Sequence, residues 1–276
     1  MIEPKYLSGD FLYGDDFSED QIKQWYEKEK TGYENLNEKT EAFEYGYHEL
    51  NRQLGFNKLP KDFIPKNTLG FGSFDGSELS PIQSLIEKAI IIDPTEKFTP
   101  KLSVPTQKLA PSITGEIPCD NDSVDLITCL GVLHHIPNVT HVFDELIRVL
   151  KPGGYCIVRE PIISMGDWTQ KRPGLTPCER GLSKKFFKQL LSRQNLKIIA
   201  ETPCVFPLIS RAFGDPEKED DRGACYNKKF AVVLDTLISK MLKWNYIYHI
   251  SSKLSNPFTF WRRLRPICNY YVIQKV

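Results

Sequence analysis

Two adjacent histidines, His134 and His135, stand between an apolar run, Val124 to Cys129, and an amphipathic segment that begins near Val139. Imidazole titrates near neutral pH, so either ring suits the role of proton acceptor for a hydroxyl. Glu160, further along, is a carboxylate alternative. A second group suits a nucleotide-like ligand. Gly70 and Gly72 lie in the turn NTLGFGSFDGSE, where missing side chains let the backbone approach a ligand. Asp93 closes the apolar run Ala89 to Ile92 about 20 residues later, where a carboxylate can accept the protons of both ribose hydroxyls. A third group is cationic. Arg159, Arg172 and Arg180, with Trp168 among them, lie in the loop-rich stretch from Arg159 to Gly181. A guanidinium fork fits phosphate or carboxylate, and an indole stacks on a sugar or base face. Each group has a structural alternative. The histidines can be hydrogen-bonded beneath the loop, the glycines taken alone read first as a plain Gly-rich turn, Asp93 can cap its own turn with Pro94, and the arginines can pair with Glu160, Asp167 and Glu179.

The elements around these residues follow from periodicity. Val124 to Cys129 predicts a strand buried on both faces. Val139, Val142, Phe143, Leu146, Ile147 and Leu150 fall on one face of a 3.6-residue period, with Asn138 or Thr140 as cap and Pro152-Gly153-Gly154 as stop. Tyr155 to Arg159 resumes strand character, which makes a right-handed βαβ unit. Ser18 and Gln21 form a capping box before QIKQWYEKEK. Pro81 to Lys88 predicts a short helix, and Lys101 to Val104 a short strand. Ser183 to Arg193 predicts a helix, Leu196 to Ala200 a strand, and the closing NYYVIQKV another strand. Phe230 to Trp244 predicts a helix packed through Phe230, Val233, Leu234, Leu237, Ile238, Met241 and Leu242.

Composition narrows the classes. With 41% apolar and 26% charged residues, the chain is an ordinary globular one rather than a disordered one. A net charge of +1 argues against a general nucleic-acid or membrane field. Seven cysteines without a CxxC pair point to reduced thiols, so no metal site is expected. The start, MIEPKYLSGD, has no basic end followed by an apolar run, and the late apolar stretch from Phe230 to Ile250 is broken by charges. A cytoplasmic protein with neither leader nor membrane span is expected.

The words VDLITCLGVLHHI, RVLKPGG and the strand that follows resemble the class I S-adenosylmethionine-dependent methyltransferases, with wording similar to members from bacterial glycan and surface-metabolite pathways. The resemblance covers about residues 65–208 and the last strand. It implies a doubly wound α/β fold with a seven-stranded, mostly parallel sheet, its last strand antiparallel. Residues 1–58 are then a helical cap or lid, and 59–276 the methyltransferase domain, with a helical insertion at about 208–262. The implied cofactor is S-adenosylmethionine, held by Gly70, Gly72, Asp93, Ser112, Ile113, Cys129, Leu130 and Gly131. The implied reaction is O-methylation of a small-molecule or glycan-like acceptor, with His135, His134 or Glu160 catalytic and Arg159, Trp168, Arg172 and Arg180 toward the acceptor. The glycine turn departs from the family pattern: Phe74 takes the third glycine's place, and Thr68 stands where an acidic residue is usual. Two rivals are a relative that binds cofactor or a partner without turnover, and a nicotinamide-dependent oxidoreductase. The second lacks a complete Gly-x-Gly-x-x-Gly turn and leaves HHIP and LKPGG without a role.

Overall fold

The computed structural model describes residues 3–37, 45–94, 99–162, 176–214, 224–242 and 265–276. Seven strands form one sheet: β1 (Asn67–Phe71), β2 (Lys88–Ile92), β3 (Thr106–Leu109), β4 (Val124–Leu130), β5 (Leu150–Pro161), β6 (Leu196–Cys204) and β7 (Cys268–Lys275). Their order is β3-β2-β1-β4-β5-β7-β6, and only β7 runs against its neighbours. The expected mostly parallel sheet is therefore present. The helices are α1 (Glu19–Asn37), α2 (His48–Leu54), α3 (Val139–Val149), α4 (Lys184–Ser192), α5 (Pro207–Phe213) and α6 (Lys229–Met241).

Strand alternation divides the core into two layers. Ile127, Val158 and Ile273 face α3 and α4, where they meet Val142, Phe143, Leu146, Phe186, Phe187 and Leu190. Leu126, Ile157 and Val272 face the other side, against Leu50 and Leu54 of α2 and Ala231 and Val232 of α6. A buried side chain of this size contributes about 1.5–3 kcal/mol relative to exposure. Among the described residues, no helix is long and apolar enough to cross a membrane.

Several elements differ from the sequence expectation. The helix expected over Pro81 to Lys88 is a 3-10 run, Ser77–Leu85, with Pro81 inside it. Proline supplies no N–H to an α-helical ladder, and the chain must be extended again by Lys88 to enter β2. The short strand lies at Thr106–Leu109, a few residues later than expected, paired with β2. The Ser18–Gln21 box is formed, with the Ser18 amide donating to Gln21 Oε1 at 2.9 Å. The start of α3 is capped from elsewhere. The Asn138 side chain donates to the Thr114 carbonyl, while Asp15 accepts the Thr140 N–H at 2.7 Å and its hydroxyl at 2.6 Å.

The helix α6 corrects its expected face. Phe230, Val233, Leu237 and Met241 are all more than half exposed, and Ala231, Val232, Asp235 and Ser239 are buried. Leu234, Ile238 and Leu242 pack at the margin of the core. Asp235 decides this rotation. Its carboxylate accepts the Val205 amide at 3.0 Å, the Phe206 amide and the Tyr226 hydroxyl at 2.9 Å. Val205 is held at φ 61°, a strained conformation for a β-branched residue. A buried carboxylate with several donors outweighs the apolar stripe.

Candidate functional site

Strand register assembles the carboxyl edge of the sheet. Phe71 of β1 pairs with Ile92 on one side and Cys129 on the other. The next residues along, Gly72, Asp93 and Leu130, therefore stand side by side. Leu130 pairs in turn with Arg159, which brings Gly131 and Glu160 to the same edge. Chain order reverses between β1 and β4, the place where open α/β sheets bind ligands.

The glycine turn is tight. The Gly72 amide donates to the Ile92 carbonyl at 2.7 Å, and its φ is 65°. A Cβ at Gly72 would lie 2.6 Å from the Val132 methyls, and one at Gly70 would meet Ser73 and Glu78. Phe74, in the third glycine's place, itself takes a left-handed φ of 51°, so the turn keeps its backbone shape without the glycine. Asp93 is buried at the tip of β2 and accepts the Phe74 amide at 2.9 Å. Glu78 lies beneath the turn, accepting from Ser73 and Thr128, and burial pushes its carboxyl up to about 7. Ser112 and Ile113 lie in the exposed loop after β3, where the Ser112 hydroxyl accepts the Gly115 and Glu116 amides. Cys129 is fully buried in the core, and burial raises its thiol well above the ordinary value.

The loop after β4 holds the histidines in a short 3-10 turn, Leu133–His135. Glu160 organises it from β5. Its carboxylate accepts the amides of Val132 at 2.9 Å, Leu133 at 2.8 Å and His134 at 3.3 Å. It also lies 2.8 Å from His134 Nδ1. A carboxylate can only accept, so Nδ1–H of His134 donates to Glu160 as well, which leaves the lone pair on Nε2. Burial, and then the neighbouring His135, push the His134 imidazole below its usual value. Both effects disfavour the charged form of His134.

His135 is enclosed by residues distant in sequence. Its Nδ1 lies 2.8 Å from Glu29 of α1 and 3.1 Å from the Thr176 hydroxyl, and its Nε2 is 3.9 Å from Glu179. The Trp25 indole N–H donates to the His135 carbonyl at 2.6 Å. Burial opposes charge on Glu29, yet the His135 hydrogen bond and charge hold it below the ordinary carboxylate range. Glu29, Trp25, Thr176 and Glu179 were not singled out from the sequence as partners of the loop. One signal was present: Ile22, Trp25 and Glu29 share one face of α1 and are all buried, so a carboxylate sits on the packed side of a polar helix.

The arginines separate. Arg159 is buried, its guanidinium 3.9 Å from the centre of the Tyr47 ring, and its Nη1 has no hydrogen-bond partner. A Cβ at Gly131 would lie 3.5 Å from Arg159 Nη2 and 3.8 Å from His134 Cε1. Arg159, Gly131 and His134 therefore meet at one point. Arg180 is turned to the fold: it donates to the carbonyls of His134 and Pro137 and stacks on Trp25. Trp168 and Arg172 lie outside the described residues.

These residues fit a nucleoside cofactor. The carboxylate, the glycine turn and Gly131 share the switch-point edge, with a buried cation beside them. Asp93 would hold the ribose, and Gly72 with Leu130 and Gly131 would offer backbone to the rest.

The central stretch, residues 69–158, matches the family model of a methyltransferase domain. None of the curated proteins matches the chain in sequence. Among solved structures, the [4+2]-cyclase SpnF is 13% identical with a TM-score of 0.52, covering 94% of this chain and 96% of that one. A Listeria monocytogenes protein assigned as an S-adenosylmethionine-dependent methyltransferase is 15% identical with a TM-score of 0.50, covering 83% and 98%. An S-adenosylmethionine-dependent methyltransferase from Mesorhizobium loti is 13% identical with a TM-score of 0.48, covering 80% and 95%. At these identities the first two structures speak for the fold alone. The domain match over residues 69–158 goes further and makes this chain an S-adenosylmethionine-dependent methyltransferase, with S-adenosylmethionine as its cofactor.

Proposed function

We propose that the protein methylates a hydroxyl of a small or glycan-like acceptor that carries an anionic group. The observation that carries this reading is the meeting of Arg159, Gly131 and His134 at the carboxyl edge of β4 and β5. The cofactor supplies a methyl group already activated by its sulfonium. The chain then has to align the acceptor and exclude water. Arg159, buried beside Gly131 with Nη1 unpaired, would hold the anionic group. The histidine pair would handle the hydroxyl proton, with Glu160 and Glu29 fixing the two rings. Residues 1–58 would serve as the lid, since Trp25 and Glu29 close on His135.

The test begins with calorimetric titration of the folded protein with S-adenosylhomocysteine. Labelled methyl transfer is then measured to a panel of phosphorylated and nucleotide-linked sugars and hydroxy acids, beside their neutral counterparts. Transfer to the anionic members supports the reading. Transfer to the neutral members alone removes the role of Arg159. Binding without transfer to any hydroxyl favours a cofactor-binding relative, a reminder that this fold also serves a cyclase.

A further inference from the structure

The two histidines and Glu179 form a group that neither the family match nor the sequence reading assigns. One ligand atom from each of His134, His135 and Glu179 can be chosen so that all three lie within 4.8 Å of one another. All three side chains are nearly buried. Behind each histidine stands a carboxylate at 2.8 Å from Nδ1: Glu160 for His134 and Glu29 for His135. This is the arrangement that orients metal-bound imidazoles, in which the outer carboxylate takes the N–H and leaves the other nitrogen to ligate. Glu179 has its own support, since it accepts the Thr176 amide at 3.3 Å and the Thr176 hydroxyl at 3.1 Å. The three ligands come from two loops, after β4 and before α4, and the outer shell adds β5 and α1.

We propose that His134, His135 and Glu179 bind a divalent transition cation of the zinc type, with Nε2 as the ligating atom of each ring. Two imidazoles and one carboxylate suit such an ion better than magnesium or calcium, which prefer all-oxygen sets. Ligand bonds of about 2.0–2.1 Å require tetrahedral edges of about 3.4 Å. The 3.9 Å between His135 Nε2 and Glu179 must therefore shorten by about half an ångström on binding, and any spacing near the group's 4.8 Å limit by about 1.4 Å. Three protein ligands leave one position, which a water or the acceptor hydroxyl would take. That last assignment rests on the proposed methyl transfer to a hydroxyl, and there the bound ion, by lowering the hydroxyl pKa, would replace the two rings as the group that eases loss of the proton. The metal site itself does not rest on it.

The experiment uses the full chain, stripped by dialysis against a chelator and titrated with Zn²⁺ in competition with a chromophoric chelator. A parallel Co²⁺ titration reads coordination by visible absorption. The expected result is one equivalent bound, with a tetrahedral Co²⁺ spectrum. Glu179→Gln and His135→Ala should each weaken it at least tenfold, and Glu160→Gln by about 10–100-fold. Circular dichroism and melting of each variant establish that it is folded, and Cys119→Ser with His141→Ala controls for surface binding. Absence of stoichiometric binding in folded protein overturns the proposal. So does binding that survives substitution of all three ligands. Affinity for S-adenosylhomocysteine is measured on the same stripped sample. A protein that takes up no Zn²⁺ and still binds S-adenosylhomocysteine loses this inference and keeps the methyltransferase reading.

Discussion

The Arg159 guanidinium lies over the Tyr47 ring, 3.9 Å from its centre, and no carboxylate pairs with it among the described residues. Such a buried cation costs stability unless something anionic reaches it. Arg159→Met should therefore keep the melting temperature near wild type or raise it. Affinity for an anionic acceptor should fall at least tenfold, while that for a neutral analogue stays. A variant that melts early and binds both acceptors as wild type does would assign Arg159 to packing against Tyr47.

Asp93 accepts the Phe74 amide at the turn, and we propose that it also holds the ribose. Asp93→Ala should weaken S-adenosylhomocysteine binding by about 1–3 kcal/mol, the usual cost of removing a charged hydrogen-bonding partner. Calorimetry on protein of verified fold reads this directly. Undiminished affinity would leave the turn as the residue's one role.

The two histidines should differ in what they support. His135→Ala, which releases Glu29 and Thr176, is expected to lower turnover by about 10²–10⁴-fold with cofactor affinity within a few-fold of wild type. Single-turnover kinetics beside cofactor titration separates these effects. Unchanged turnover would return His135 to a structural role and leave His134 and Glu160 as candidates.

Glu78 should make stability depend on pH. Its folded carboxyl is lifted to about 7 by burial, above the unfolded value near 4.5. The folded state therefore binds this proton more tightly. The resulting stability is fully present below pH 4.5 and is lost as pH rises through 7, by at most about 3 kcal/mol. Glu78→Gln should flatten that part of the profile and melt above wild type at pH 8. Urea midpoints at pH 5 and pH 8 provide the comparison, and parallel profiles for the two proteins would contradict it.

Asp235 should matter more to stability than the apolar residues beside it on α6. Asp235→Ala leaves the Val205 and Phe206 amides and the Tyr226 hydroxyl without their acceptor and should cost about 2–4 kcal/mol. Leu237→Ala, at a position 58% exposed, should cost about 0.5 kcal/mol or less. Denaturant midpoints that reverse this order would mean that α6 packs through its apolar stripe after all.

Local patterns were legible in the sequence because they depend on spacing within one element. The period of three and four from Val139 to Ile147 defines α3, and every one of those apolar side chains is buried. The strand–helix–strand order around it defines a parallel unit, and the glycines mark a turn whose left-handed φ of 65° at Gly72 shows why one is needed there. Tertiary structure decided the rest. Asp15 caps α3 from 125 residues away, and Glu29 meets His135 across 106. The pattern along α6 pointed its apolar stripe inward, and one carboxylate at Asp235 turned it outward. The physical reason is the same in each case. Periodicity reports how a side chain sits on its own helix or strand. The partner of a buried charge is set by which loops the sheet order brings together, and no spacing within an element encodes that.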